Sequence, residues 1–238
     1  MAFTEGRMAA WRILLVAATV AGLACLTTSI GRPWAYFTVQ SNVLLALYYG
    51  WRLVAGRGRP ASADVKGAVT LYLVATCLVN YVSRDLANPL ALLDGGGARG
   101  WGNFLLHYVT PVMALADWAV FDRSRRARWA APFAWLGFPL LYGAFVLLAA
   151  PNLPRRYVYP FLNVERLGWP TVAGAAVGVL AAFVVLGYAL LGLHRLTAGP
   201  RLPWRGARTT TLPPAARRPA PRRPARRTGS STRCPRWW

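Results

Sequence analysis

Apolar runs long enough to cross a bilayer alternate along this chain with short loops that carry arginine, and that alternation leaves few folds open. A helix rises 1.5 Å per residue, so about 20 apolar residues span the ~30 Å hydrocarbon layer. Six stretches approach that length: Met8 to Ser29, Ala35 to Val54, Gly67 to Ser83, Asn103 to Trp118, Trp129 to Ala150 and Pro170 to His194. Backbone in hydrocarbon must satisfy its own polar groups, which for runs of this length means helices. The sequence therefore predicts an all-α fold, a polytopic membrane bundle of about six transmembrane helices. The chain has 238 residues of which 55% are hydrophobic, yet a formal charge of +21, a combination that requires apolar and charged residues to be segregated. Residues 1–29 place Arg7 and Arg12 ahead of an apolar core, as a signal peptide does. The residues before Cys25 suit a lipoprotein cleavage site poorly, so the segment is expected to be an uncleaved first helix.

Orientation follows from the basic residues. Six spans divide the loops into two sets, and one set holds only Arg32, Arg84, Arg99, Arg155, Arg156 and Arg166. Every other arginine and Lys66, the one lysine, falls on the opposite side. The positive-inside rule then expects both termini in the cytoplasm, in a bacterial cytoplasmic membrane with membrane lipids as the first partners.

The composition changes near Gly199. Residues 1–198 form the expected transmembrane domain. Residues 199–238 are rich in Pro and Arg and poor in apolar side chains, so they are expected to be a disordered cytoplasmic tail. No specific nucleic acid is expected as its partner, since no folded reader sits beside it and, apart from Trp204, its aromatics come only at its very end. Cys25, Cys77 and Cys234 show no CxxC spacing, and the two histidines, His107 and His194, are expected at opposite ends of the bundle. No metal site and no cofactor are expected. Oligomeric state is not encoded in any feature.

Polar residues inside the apolar runs are the functional signal. With the orientation above, Thr38, Gln40, Ser41 and Asn42 open the second helix on the outer side, Asn80, Tyr81, Arg84 and Asp85 close the third there, and Asn103 and His107 open the fourth. His107 lies about 6 Å along its helix from Asn103, and Thr38 a similar distance from Trp34, so the hydroxyl and the imidazole share a depth. Two roles are open. In the first, both are structural: His107 bonds a neighbouring helix, Thr38 bonds back to the carbonyl of residue 34, and Ser41 and Asn42 hold helices together. In the second, the imidazole draws the proton from the hydroxyl for nucleophilic acyl transfer, and the N-termini of helices two and four, with Asn103 or Asn42, supply donors to an oxyanion. Asp85 is the expected carboxylate partner for the imidazole. Asp117, about 15 Å further along the fourth helix, is too far to orient it. His194 is expected at the cytoplasmic interface.

The runs FTVQSNVL around Thr38, NFLLHYVTPVMALADW around His107 and VYPFLNVERLG from Val158 to Gly168 resemble the three signature regions of the androgen-induced gene family, in the form of its actinobacterial integral-membrane members. The resemblance covers about Met8 to His194. It implies a multispanning hydrolase of fatty acid esters of hydroxy fatty acids, with Thr38 as nucleophile and His107 as base. The family's YPFL segment falls on Tyr159 to Leu162, with Tyr159, Pro160 and Phe161 expected to line the substrate, in a loop whose Tyr, Pro and Trp content suits an interfacial cap over the bundle mouth. Gln40, Ser41 and Asn42 depart from the animal pattern, which is more apolar there, so another lipid ester can be the substrate. The competing expectation is a non-catalytic membrane protein that binds a lipid or small molecule in the same place.

Overall fold

The computed structural model describes residues 2–55, 62–83, 88–94, 96–121, 127–153 and 157–197. The chain divides into two units, Met1–Gly199 and Pro200–Trp238, and all described residues lie in the first. These residues are helical or in turns, with no strand among them.

Helix α1 runs Ala2–Ser29, α2 Phe37–Val54 and α3 Ala63–Ser83. After a single turn, α4 (Ala91–Asp94), comes a rod made of α5 (Gly97–Phe104), a π turn (Leu105–Val109) and α6 (Thr110–Val120). The short α7 (Ala131–Ala134) leads into α8 (Gly137–Ala149), and α9 covers Val164–Thr197. Four stretches are long and apolar enough to cross a membrane: Gly6–Ser29, Ala63–Ser83, Ala131–Ala149 and Val164–Thr197. The second and fourth runs expected from the sequence are also helical, but α2 is rich in polar and aromatic side chains and the α5–α6 rod is interrupted by its π turn.

Local chemistry explains where the helices begin and turn. Arg32 takes a left-handed conformation (φ 54°) before a 3₁₀ turn at Pro33–Ala35, which reverses the chain between α1 and α2. Gly168 inside the α9 stretch has φ 74°, a value that favours glycine, and the proline two residues later needs no N–H partner, so the long apolar helix restarts there. Ser62 Oγ accepts from the Val65 N–H (3.4 Å) and starts α3 a turn earlier than its apolar content alone indicates.

Helix α3 is the most enclosed of the four apolar helices and packs against α2, α6 and α9, while α1 covers α2 and α5. The outward faces are apolar too: Leu14, Leu47, Leu141, Leu148 and Val185 are exposed, as a lipid-facing surface requires. Inside, the Phe37 ring meets Tyr72, Tyr142 and Phe183 edge-on at centroid distances of 6.2, 5.0 and 6.0 Å. This aromatic nest seats the first turn of α2 and fixes the residue that follows, Thr38.

Candidate functional site

Thr38 and His107 meet. Thr38 Oγ1 lies 3.1 Å from His107 Nε2, and His107 Nδ1 lies 3.0 Å from the Asn103 carbonyl oxygen. A carbonyl can only accept, so Nδ1 carries the ring proton and Nε2 presents its lone pair to the threonine hydroxyl, which donates. The Asn103 carbonyl thereby helps to orient the imidazole.

The π turn makes this possible, and Pro111 accounts for it. Pro111 has no N–H, so the His107 carbonyl, four residues earlier, has no α-helical donor there. Immediately before it the ladder shifts by one residue, and the Thr110 N–H goes to the Leu105 carbonyl. The bypassed Leu106 carbonyl is taken instead by side chains, Asn42 Nδ2 at 3.2 Å and Thr110 Oγ1 at 3.4 Å. Asn42 also donates to the Thr38 carbonyl (2.8 Å) and accepts from Thr110 Oγ1 (2.7 Å). One buried asparagine thus ties the turn bearing the hydroxyl to the turn bearing the imidazole.

A cavity of about 890 Å³ borders the pair. Thr38, Asn80, Asn103 and His107 give it a polar end, while Pro139 and Leu147 of α8 and Val172, Leu180 and Phe183 of α9 form apolar wall. Tyr159 and Phe161 line it as well, their rings stacked at 5.5 Å. Tyr142, which the sequence did not single out, donates from its hydroxyl to the Ala35 carbonyl (2.8 Å) and stands edge-on to Tyr159 at 6.3 Å. It joins α8 to the approach of α2 and holds the Tyr159 loop in place. Burial pushes the Tyr159 phenol up, so the hydroxyl stays a neutral hydrogen-bonding group.

The other expected site residues have different roles. Asn42 has its side chain committed to the clamp just described, and Ser41 Oγ donates to the Thr38 carbonyl (3.1 Å), so neither faces the cavity. Pro160 is exposed at the start of its 3₁₀ turn and is not part of the cavity wall. Asp85 lies outside the described residues.

A second polar cluster lies where the sequence shows only topology signals. Asp117, fully buried, receives Arg12 Nε at 3.1 Å, Lys66 Nζ at 2.6 Å and the Tyr49 hydroxyl at 2.9 Å. Lys66 also donates to the carbonyls of Asp117 (2.9 Å) and Phe121 (3.2 Å). Arg12 and Lys66, counted from the sequence among the charges of the basic side, are therefore interior residues. His194, expected at an interface, is buried as well: its ring lies 4.4 Å from that of Trp118 and Nδ1 donates to the Trp118 carbonyl at 3.3 Å. The signal for this cluster was the lone acid of the fourth apolar run, which demands a cation partner.

No protein-family model, curated protein or solved structure matches the chain.

Proposed function

We propose that the chain is a multispanning ester hydrolase of the bacterial cytoplasmic membrane, cleaving fatty-acyl esters with Thr38 as nucleophile and His107 as base. In this reading it has six spans, both termini are cytoplasmic, and the Thr38 end of the bundle faces outward. The observation that carries the proposal is the 3.1 Å contact between Thr38 Oγ1 and His107 Nε2, with the imidazole proton held on the far nitrogen by the Asn103 carbonyl.

The steps follow from that geometry. His107 Nε2 takes the Thr38 hydroxyl proton as the oxygen attacks the ester carbonyl carbon, and the carbonyl electrons move onto its oxygen. The Val39 and Gln40 N–H groups both end on the Tyr36 carbonyl (3.1 and 3.2 Å), so Thr38, at the mouth of α2, offers a first-turn N–H with no helical acceptor to that oxyanion. Collapse of the adduct expels the alkoxide, which takes the proton from His107, and leaves an acyl-threonine. Water then gives a proton to His107 and attacks the acyl carbon. The carboxylic acid departs and Thr38 recovers its hydrogen. The apolar cavity wall takes the acyl chain, and the ester lies at the polar end.

A second reading, lipid binding without chemistry, draws on the same cavity, most of which is apolar. A fluorophosphonate probe separates the two. Hydrolysis predicts a covalent adduct on Thr38, with fluoride leaving, that is lost in His107→Ala. Absence of labelling in folded wild-type protein favours the binding reading.

A further inference from the structure

Two series of polar residues border the Thr38–His107 cavity at helical spacing. Thr76, Asn80 and Ser83 share one face of α3, and Arg99, Asn103 and His107 share one face of α5 and the π turn that continues it. We propose that these two polar ladders form a hydrated strip that leads water from the Ser83 and Arg99 ends of the helices to the Thr38–His107 pair, while the lipid chain uses the apolar wall of α8 and α9.

Exposure falls step by step along both ladders. Ser83 and Arg99 are exposed, Asn80 and Asn103 are half-buried, and Thr76 is buried, about 10 Å from Ser83 along the axis of α3. Bonds within the protein leave much of this polar chemistry unmet. Asn80 Oδ1 accepts from the Tyr108 hydroxyl (3.0 Å), which ties α3 to the π turn, but the Asn80 amide NH₂ has no partner among the described residues. The side chains of Ser83 and Asn103 likewise make no hydrogen bond with another described residue. Thr76 donates to the Leu73 carbonyl at 2.8 Å, and its oxygen can still accept. Polar groups inside a membrane bundle are costly unless they meet a protein partner or a water-filled space, and the space these groups border is the cavity. The side chains of Leu147, Ala176, Leu180 and Phe183, by contrast, offer water no hydrogen bond. Hydrolysis of a lipid needs this division, because chain and water must both reach one carbonyl carbon. The strip deepens the hydrolase reading by supplying the water that His107 activates for deacylation; it rests on that reading for the use of the water and not for the hydration itself.

Hydration can be tested without turnover. In the full chain carrying Cys25→Ala, Cys77→Ala and Cys234→Ala, each of Asn80→Cys, Asn103→Cys and Ala176→Cys is reconstituted in lipid vesicles and treated with N-ethylmaleimide. This small uncharged reagent enters from water or from lipid but reacts with a thiolate, which forms only where water reaches the sulfur. Asn80→Cys and Asn103→Cys should be modified about tenfold or more faster than Ala176→Cys, which lines the same cavity on its apolar side. Equal rates at the three positions, or faster modification at Ala176→Cys, overturn the strip. Its use is tested with a chromogenic fatty-acyl ester. Asn80→Leu and the near-isosteric Thr76→Val should still acylate Thr38, giving a burst of one product per folded molecule, and then turn over about tenfold more slowly as acyl-threonine accumulates in the intact mass. Asn80→Ser, small and polar, should keep the wild-type rate. Wild-type turnover in folded Thr76→Val and Asn80→Leu would show that water arrives by another path and overturn the route. If the cysteines react as expected but wild type forms neither acyl-threonine nor free acid, the hydrated strip stands and the hydrolase reading falls.

Discussion

His107 hangs from the Asn103 carbonyl by Nδ1 and faces Thr38 Oγ1 with Nε2, 3.1 Å away, because a π turn above Pro111 has widened the helix at that point. If the two side chains act as one unit, Thr38→Ala and His107→Ala should each abolish ester hydrolysis, and the double variant should lose little more than either alone. Thr38→Ser keeps the hydroxyl and should retain part of the rate. Turnover must be read beside the folded fraction, for instance monodispersity in detergent. Two folded alanine variants with wild-type turnover would remove this pair from the chemistry.

Asn42 touches no substrate, yet its amide joins the Thr38 and Leu106 carbonyls to the Thr110 hydroxyl. Asn42→Ala leaves buried groups unsatisfied and should cost about 1–3 kcal/mol of stability. Since the same bonds set the Thr38 to His107 distance, kcat per folded molecule should fall as well. Asn42→Asp can keep some of the acceptor role but brings a buried charge, and should be no better. Normal kcat in folded Asn42→Ala would show that the aromatic nest around Phe37 positions Thr38 without help.

How far the sequence speaks differs between elements. The apolar runs predicted helices close to those observed, since hydrophobic length is a property of the segment itself. Thr38 and His107 could be placed at one depth by counting 1.5 Å per residue. What that counting lacks is rotation about the helix axis, so Ser41 and Asn42, expected near the chemistry, turn to the Thr38 backbone instead. The π turn has a local cause in Pro111, but its result, a carbonyl given up to Asn42, depends on a partner 64 positions away. The Asp117 cluster is harder still: Arg12 and Asp117 are 105 positions apart, and a charge count along loops treats such a cation as facing water.

Topology can be checked directly. Both termini in the cytoplasm require an even number of crossings, which the four apolar helices alone would give and which the proposed six, with α2 and the α5–α6 rod, would give as well. A reporter fused after residue 238 should be active only as a cytoplasmic fusion, and a cysteine placed at Val158 should react with an impermeant reagent added outside. A C-terminal fusion that reports an external location would reverse the assignment of outer and inner ends.

Gly67 on α3 packs against the indole of buried Trp135, and a Cβ there would sit 2.6 Å from Cη2 and closer still to Cζ2. A ring wedged beside Trp118 (centroids 6.5 Å apart) has little room to give. Gly67→Ala should therefore destabilise the bundle by about 1–3 kcal/mol through overpacking, despite alanine's better helix propensity. A thermal midpoint equal to or above wild type would show that Trp135 can shift.

The buried cluster around Asp117 makes the most discriminating stability prediction, because two cations share one carboxylate. Lys66 is 2% exposed and Asp117 0%, so neither charge has water to fall back on. Asp117→Asn keeps the shape but leaves Arg12 and Lys66 facing each other across a neutral amide, and should cost about 3–5 kcal/mol, the usual loss when one partner of a buried pair is removed. Lys66→Met deletes one cation and leaves Arg12 and Asp117 as a balanced pair, with Tyr49 still donating to the carboxylate. Its loss should be smaller, limited mainly to the carbonyls of Asp117 and Phe121 that Nζ now satisfies. Adding Lys66→Met to Asp117→Asn should then recover stability, since it removes one of the two cations that shared the Asp117 carboxylate. Thermal midpoints of the three variants in a neutral detergent decide the matter. A double variant no more stable than Asp117→Asn alone would mean that Lys66 matters for its hydrogen bonds to backbone and not for its charge.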